Sequence, residues 1–224
     1  MDTPISIIML GATGAVGTEA IKTLATFLDF SKLTILGRRP FEAVNHDTIE
    51  NHKVDIFDPS SYSHLVSGHD VAICTLGVGE PSKVSKEQFV KVDKTAVLDF
   101  AKACKKGGVT HFQLLASVGI NANSRSFYLR IKGELVEELK ALDFDRLSVF
   151  QPSMIITPTN RYGFSQALTL AVWPVLDKLF FGGLKKYKGV KVENLGSAIA
   201  RNVNRKSKKI EMLDWEDFKM INEK

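Results

Sequence analysis

Cysteine is scarce in this chain. Cys74 and Cys104 are the only two among 224 residues, and they show no metal-ligand spacing. Both fall in apolar surroundings, so free buried thiols are expected and no structural disulfide. The amino terminus lacks the charged flank, apolar core and cleavage site of a secretory leader, because Ile5 to Leu10 already has the length of a strand. The expected compartment is the cytoplasm. No apolar run is long and clean enough to cross a membrane: Leu168 to Phe181 is interrupted by Pro174, Asp177 and Lys178. That stretch is expected to be a core helix, a hydrophobic lid, or a membrane-surface or partner-facing side. Aromatics interleaved with the basic runs are missing too, apart from Tyr187 among Lys185, Lys186, Lys188 and Lys191. Arg205, Lys206, Lys208 and Lys209 have none. The net charge of +5 therefore does not argue for nucleic acid and reads as solvated surface with a mild bias toward anions. No repeat, low-complexity tract or linker divides the chain, so one domain over 1–224 is expected, with 152–205 contributing substrate-side elements.

What is present begins at once. Ile5 to Leu10 is an unbroken apolar strand that runs into glycines at 11, 14 and 17, and the residues after them recur at helical spacing through Val16, Ala20, Ile21, Leu24 and Phe27. Strand, glycine turn and helix in that order make an anion-binding entrance: glycine lets the backbone turn sharply and approach a pyrophosphate, and the helix amides and dipole face the charge. Gly11, Thr13, Gly14, Ala15, Val16 and Gly17 are the candidate diphosphate contacts. The spacing is G-x-x-G-x-x-G, not the more common G-x-G-x-x-G.

A second buried strand, Lys32 to Leu36, ends in Gly37, Arg38, Arg39 and Pro40. At this point, about 20 residues past the last glycine, an NAD enzyme carries an acid for the ribose hydroxyls. Two guanidiniums stand there instead, and their planar, permanently charged forks suit a phosphate. The cofactor reading is NADP(H), with Arg38 the principal contact and Arg39 the second.

A third strand is expected over Lys53 to Phe57, placing Asp55 and Ile56 at its end beside the adenine edge, with a helix starting at Asp58-Pro59-Ser60-Ser61. Val71 to Leu76 is a fourth, and Leu76, Gly77, Val78 and Gly79 after it can lie against the ribose and diphosphate. Ser85 to Lys106 reads as one long helix, closed by Gly107-Gly108. His111 to Ala116 is a fifth strand, ending at Ser117. Arg146 to Phe150 is a sixth and Ile210 to Leu213 a seventh. Strands alternating with helices predict an α/β fold with a doubly wound parallel sheet in three α/β/α layers.

Tyr128 and Lys132, four apart on a helix expected over Phe127 to Leu142, share a face, so the ammonium can sit beside the phenol and favour its ionised form. With the Ser117 hydroxyl on a substrate carbonyl oxygen, the three can protonate an alkoxide while a nicotinamide delivers hydride. The same spacing recurs at Tyr187 and Lys191, but Gly189 lies between them and Gly182-Gly183 precede them, which is a poor helix. That pair is read as coincidence.

These motifs together resemble the short-chain dehydrogenase/reductase superfamily in its atypical branch. The segments Leu36-Gly-Arg-Arg39, Gly68-His-Asp-Val71, Cys74-Thr-Leu-Gly77, His111-Phe-Gln-Leu-Leu115, Tyr128-Leu-Arg-Ile-Lys-Gly-Glu134 and Phe144-Asp-Arg-Leu-Ser-Val-Phe150 narrow the likeness to the Tat-interacting-protein oxidoreductases. The resemblance implies a Rossmann-type domain that binds NADPH and carries a Ser/Tyr/Lys site at Ser117, Tyr128 and Lys132. Relatives tend to show Pro-Gly after the sixth strand; here Pro152-Ser153 stands there, with Pro152, Met154 and Ile155 still offering backbone and apolar surface to a nicotinamide. The expected activity is NADPH-dependent reduction of a small, largely apolar carbonyl substrate. The competing class is an NADPH-sensing regulatory module that acts through a protein partner with little turnover, against which the intact Ser/Tyr/Lys set weighs. An epimerase or dehydratase is disfavoured for want of a larger sugar-nucleotide domain.

Overall fold

The computed structural model describes residues 4–27, 30–158 and 180–223. The first strand, β1 (Ile5–Leu10), shows how the apolar run is used. Ile7 and Met9 point into one hydrophobic cluster and Ile8 and Leu10 into a second on the other face. A period of two is thus hidden in an apparently featureless stretch, because a strand covered on both sides buries every residue. β2 (Phe30–Gly37), β3 (Ile49–Lys53), β4 (Val71–Cys74), β5 (His111–Leu115), β6 (Arg146–Phe150) and one late strand, Ile210–Leu213, complete a seven-stranded sheet. Its order is β3-β2-β1-β4-β5-β6 and then the late strand, and every pairing is parallel. This is the doubly wound, Rossmann-like architecture, with the chain reversing direction across the sheet between β1 and β4.

Helices cover both faces. On one side α1 (Ala15–Phe27) buries Val16, Ala20, Ile21 and Leu24. On the other, α2 (Lys86–Val90) and α3 (Val97–Lys106) are followed by α4 (Phe127–Ala141). A two-stranded parallel pair, β7 (Ile155–Ile156) and β8 (Val190–Lys191), leads into α5 (Val192–Arg201), which packs beside α1. The late strand is β9 (Ile210–Leu213), and α6 (Trp215–Asn222) follows it under an Asp214 capping box. Cys74 and Cys104 are buried free thiols as expected, and burial pushes the Cys74 thiol up to about 12.

Three expectations need correction. The third strand is Ile49–Lys53, not Lys53 to Phe57. Among the described residues it pairs only with β2 and buries no residue fully, so its sequence, Ile-Glu-Asn-His-Lys, has no apolar pattern; the apolar Val54 and Ile56 that suggested a strand are buried in the irregular segment after it. The helix expected from Asp58 is a pair of short 3-10 turns, Pro59–Ser61 and Ser63–Leu65, with the Asp58 carboxylate accepting from the Ser60 amide at 2.9 Å. The long helix over 85–106 is interrupted by a π-helical segment, Lys91–Ala96, between α2 and α3. Tyr187 ends a 3-10 segment (Gly182–Tyr187) and Lys191 lies in β8, so the second Tyr/Lys pair shares no helix. The apolar stretch Leu168 to Phe181 lies outside the described residues except for its last two.

A polar network holds the amino ends of β5, β6 and β9 together, at the sheet edge opposite the glycine turn. The Ser148 hydroxyl donates to Glu211 Oε1 at 2.6 Å and lies 2.9 Å from His111 Nε2. Arg146 donates to the same carboxylate from Nε at 3.0 Å, and Arg205 also pairs with it. Asn202 donates to Gln113 Oε1 and Ser148 Oγ, each at 3.1 Å.

Candidate active site

The glycine turn leaves the carboxyl end of β1, and its geometry requires glycine. Gly11 adopts φ +96°, a left-handed conformation. A Cβ there would meet the Leu76 amide nitrogen at 2.5 Å, and a Cβ on Gly17 would meet the Gly11 carbonyl oxygen at 2.5 Å. The turn is therefore clamped between the segment after β4 and the first turn of α1. Thr75 completes the clamp, its hydroxyl donating to the Gly11 carbonyl at 3.0 Å.

Above this clamp lies a cleft of about 490 Å³. The first turn of α1 opens onto it through Gly14, Ala15, Val16 and Gly17. Amides of a first helical turn have no partner within the helix, and α1 carries no acid there to compete for them. Leu76, Gly77 and Val78 form one wall and Tyr128 and Lys132 of α4 another. A smaller pocket of about 60 Å³ adjoins it, lined by Gly11, Thr13, Arg38, Arg39, Ile56 and, shared by both, Leu76. Arg38 and Arg39 are exposed at the end of β2, and among the described residues no carboxylate pairs with either guanidinium. This donor set fits a dinucleotide: a glycine cradle at a helix amino terminus suits a diphosphate, and two exposed guanidiniums line the pocket beside it.

Three named residues do not line either pocket. Asp55 is exposed beyond β3, and its carboxylate is engaged by the Phe57 amide at 2.9 Å, closing a local turn. Pro152 is buried behind the cleft, where its carbonyl accepts from Val118 at 3.0 Å, while Ser153, Met154 and Ile155 take its place on the wall. Ser117 is half-buried one residue beyond the lining residue Ala116.

At the inner end the Tyr128 ring packs on Phe89, with centroids 5.4 Å apart, and the Lys132 ammonium lies 5.7 Å from the Tyr128 ring centroid. Lys132 is buried, and its Nζ meets Asp93 Oδ1 at 2.8 Å. Burial alone pulls the ammonium's pKa down, but the charges of Asp93 and Tyr128 outweigh it and the net direction is upward. Asp93 and Thr75 went unread in the sequence, as did Glu80, Pro81 and Thr157, which also line the cleft. A signal for Asp93 existed: it falls four residues after Phe89 and seven before Phe100, an acid on the buried stripe of its helix.

A family model described as NAD(P)H-binding matches residues 11–146. The rat protein HTATIP2 is 38% identical over 153 residues, 67% of this chain and 63% of its own, so the match spans less than two thirds of that protein. Protein FMP52, mitochondrial, from Lodderomyces elongisporus is 31% identical over 163 residues, 69% of this chain and 68% of its own. Among solved structures, a UDP-N-acetylglucosamine 4-epimerase from Methanobrevibacter ruminantium M1 superposes with a TM-score of 0.72 at 15% identity, covering 95% of this chain and 77% of its own. The Bordetella bronchiseptica enzyme WbmH in complex with NAD+ gives 0.69 at 16%, covering 94% and 75%. These two share the fold. The yeast relatives, named mitochondrial at 31% and 28% identity, overturn the cytoplasmic expectation. No helix among the described residues is long and apolar enough to cross a membrane.

Proposed function

The chain belongs to the NAD(P)H-binding family, and from that premise we propose that it is an NADPH-dependent oxidoreductase that reduces the carbonyl of a small, largely apolar substrate. The observation that carries this reading is that Tyr128 and Lys132 line the same cleft as the glycine turn. Gly14 to Gly17 would hold the diphosphate, Arg38 and Arg39 the 2'-phosphate, Ile56 the adenine, and Lys132 the nicotinamide ribose. When bound, the reduced nicotinamide supplies hydride to the carbonyl carbon. Tyr128 gives its phenolic proton to the carbonyl oxygen, and the Lys132 ammonium beside it stabilises the phenolate left behind. The oxygen-polarising hydroxyl is assigned to Ser117; Ser153, which lines the cleft, is an alternative hydroxyl there. Leu115, Ala116, Met154 and Ile155 give the substrate side its apolar surface.

The test is NADPH consumption against a panel of aldehydes and ketones. Tyr128→Phe is expected to lower the rate by about 10²- to 10⁴-fold with cofactor binding retained. Tight NADPH binding without consumption by any member of the panel would favour a cofactor sensor instead, and an undiminished rate in the Phe variant would remove Tyr128 from its role.

A further inference from the structure

We propose that Glu80 is a specificity-determining residue: among apolar carbonyl compounds it selects those that carry a positively charged amine and turns away those that carry a carboxylate or a phosphate. The carbonyl rests on the reductase reading above, and Glu80 decides what the rest of the substrate carries.

Among the described residues three charged side chains line the cleft, Glu80, Asp93 and Lys132. Lys132 Nζ and Asp93 Oδ1 meet at 2.8 Å with both side chains buried, so their charges cancel within the wall. The partner of Glu80 lies outside the cleft. Its carboxylate meets Lys83 Nζ at 2.6 Å, but the Lys83 side chain is 66% exposed, against 22% for Glu80, and is not part of the lining. An exposed ion pair of this kind holds its members weakly, so the ammonium of a ligand can take the place of Lys83.

The backbone fixes where the acid stands. Glu80 is extended, at φ −130° and ψ 92°, just before the 3-10 turn Pro81–Lys83. Proline opens that turn, and the Lys83 amide closes it by donating to the Glu80 carbonyl at 3.0 Å. An acid before a helical turn commonly spends its carboxylate on capping; the Glu80 side chain makes no capping bond. The lining around it includes apolar Pro81, Leu115, Met154 and Ile155, so a charge facing Glu80 is screened less than in open water.

The chain's net charge of +5 by itself draws anions to the surface. Inside the cleft the sign is reversed, with two carboxylates against one ammonium. Among the described residues no lining cation stands free to receive a carboxylate or phosphate on the substrate, because Lys132 is committed to Asp93. Such a group would face Glu80 and the phosphates of a cofactor held at Gly14 to Gly17. A basic nitrogen at the far end of an apolar carbonyl compound is drawn to both.

The probes are three benzaldehydes that carry a trimethylammonium, a tert-butyl or a carboxylate group para to the aldehyde; the first two differ in charge and hardly in shape. NADPH consumption gives kcat/KM for each in the wild-type protein, Glu80→Gln and Glu80→Lys. Wild-type protein is expected to prefer the cation over its neutral isostere, and Glu80→Gln to lower that ratio about fivefold, a comparison in which the intrinsic reactivities of the aldehydes cancel. Glu80→Lys should take the carboxylate before the cation. A cation-to-neutral ratio that is the same in wild type and a folded Glu80→Gln protein overturns the proposal, as does a wild-type preference for the carboxylate. Should neither variant fold, the wild-type ratio is followed from about 0.01 to 1 M salt: a fall with ionic strength supports the proposal, and a constant ratio overturns it. Should no aldehyde be reduced, calorimetric titration of the same three compounds reads affinities instead. A cation preference that Glu80→Gln removes would then sink the reductase reading and leave the charge selection standing, whereas an unaltered ratio overturns both.

Discussion

Replacing Gly17 by alanine separates the stability of the fold from the integrity of its anion cradle. The added Cβ would lie 2.5 Å from the Gly11 carbonyl oxygen, 2.9 Å from Thr75 Oγ1 and 3.0 Å from Ala12 Cα, where ordinary contact begins at 3.4 Å. The first turn of α1 must therefore move away from the glycine turn by about 0.9 Å, the difference between 3.4 and 2.5 Å. Overpacking of this kind costs about 1–3 kcal/mol, while alanine in place of a helical glycine returns roughly 0.5–1 kcal/mol. The net loss is about 0–2.5 kcal/mol, and at about 2–4 °C per kcal/mol for a chain of this size it lowers Tm by at most roughly 10 °C. The effect on binding is larger. Hydrogen bonds operate over a window of only about 0.5 Å, so a shift of this size removes one or two amide contacts to a phosphate. Each is worth about 1.5–3 kcal/mol, so NADPH affinity falls roughly tenfold for one lost contact and about 10²-fold or more for two. Thermal melts with and without NADPH read both quantities, since a ligand that binds only the folded state raises Tm by mass action. A Gly17→Ala protein that keeps the wild-type NADPH-dependent rise would refute the placement of the diphosphate.

Two further outcomes follow from the contacts around the cleft and the sheet's far edge. Thr75→Val removes the hydroxyl that donates to the Gly11 carbonyl and is expected to cost about 1 kcal/mol, or roughly 2–4 °C in Tm; an unchanged melt would mean that the clamp is not closed by that bond. Burial, with help from the Arg146 guanidinium, pushes the His111 pKa down to about 3, so the folded protein holds it neutral while the unfolded chain takes up a proton near the ordinary value of 6.5. Its contribution is present above that value and is lost as pH falls from there toward about 3. Burial raises the Glu211 pKa, but hydrogen bonds from Ser148, Ser207 and Arg146 carry it down to about 2, so its contribution is lost between 4.5 and about 2. Denaturant unfolding across pH 7 to 3 should show stability falling with acidity, and His111→Gln should flatten the upper part of that fall. An identical slope in the variant would contradict the assignment.

The parts of this molecule that could be read from sequence are those where periodicity and chemistry coincide. β6 and β9 fall at Arg146–Phe150 and Ile210–Leu213, as their patterns indicated, and the glycine turn sits at the sheet's crossover point. β3 was hidden because an edge strand with one partner buries little, so Ile49–Lys53 carries no apolar signature while the buried residues Val54 and Ile56 lie just past it. The π segment was invisible for a different reason: a wider turn barely disturbs the spacing of apolar residues, and only the acid on the buried stripe betrays it. Tyr128 and Lys132 were found because their spacing defines a helix face. Asp93, their partner, lies about 40 residues away in the chain, and a contact between elements leaves no local pattern.

The NADPH reading turns on Arg38 and Arg39, which line the pocket beside the glycine turn. Calorimetric titration of NADPH and NADH into the wild-type protein and Arg38→Ala tests it most directly. Wild-type protein is expected to prefer NADPH. Arg38→Ala should lose about 10- to 100-fold in NADPH affinity, the worth of one charge-assisted phosphate contact, with NADH binding little changed. Equal affinities for the two cofactors in the wild-type protein, or an Arg38 variant that loses both alike, would contradict it.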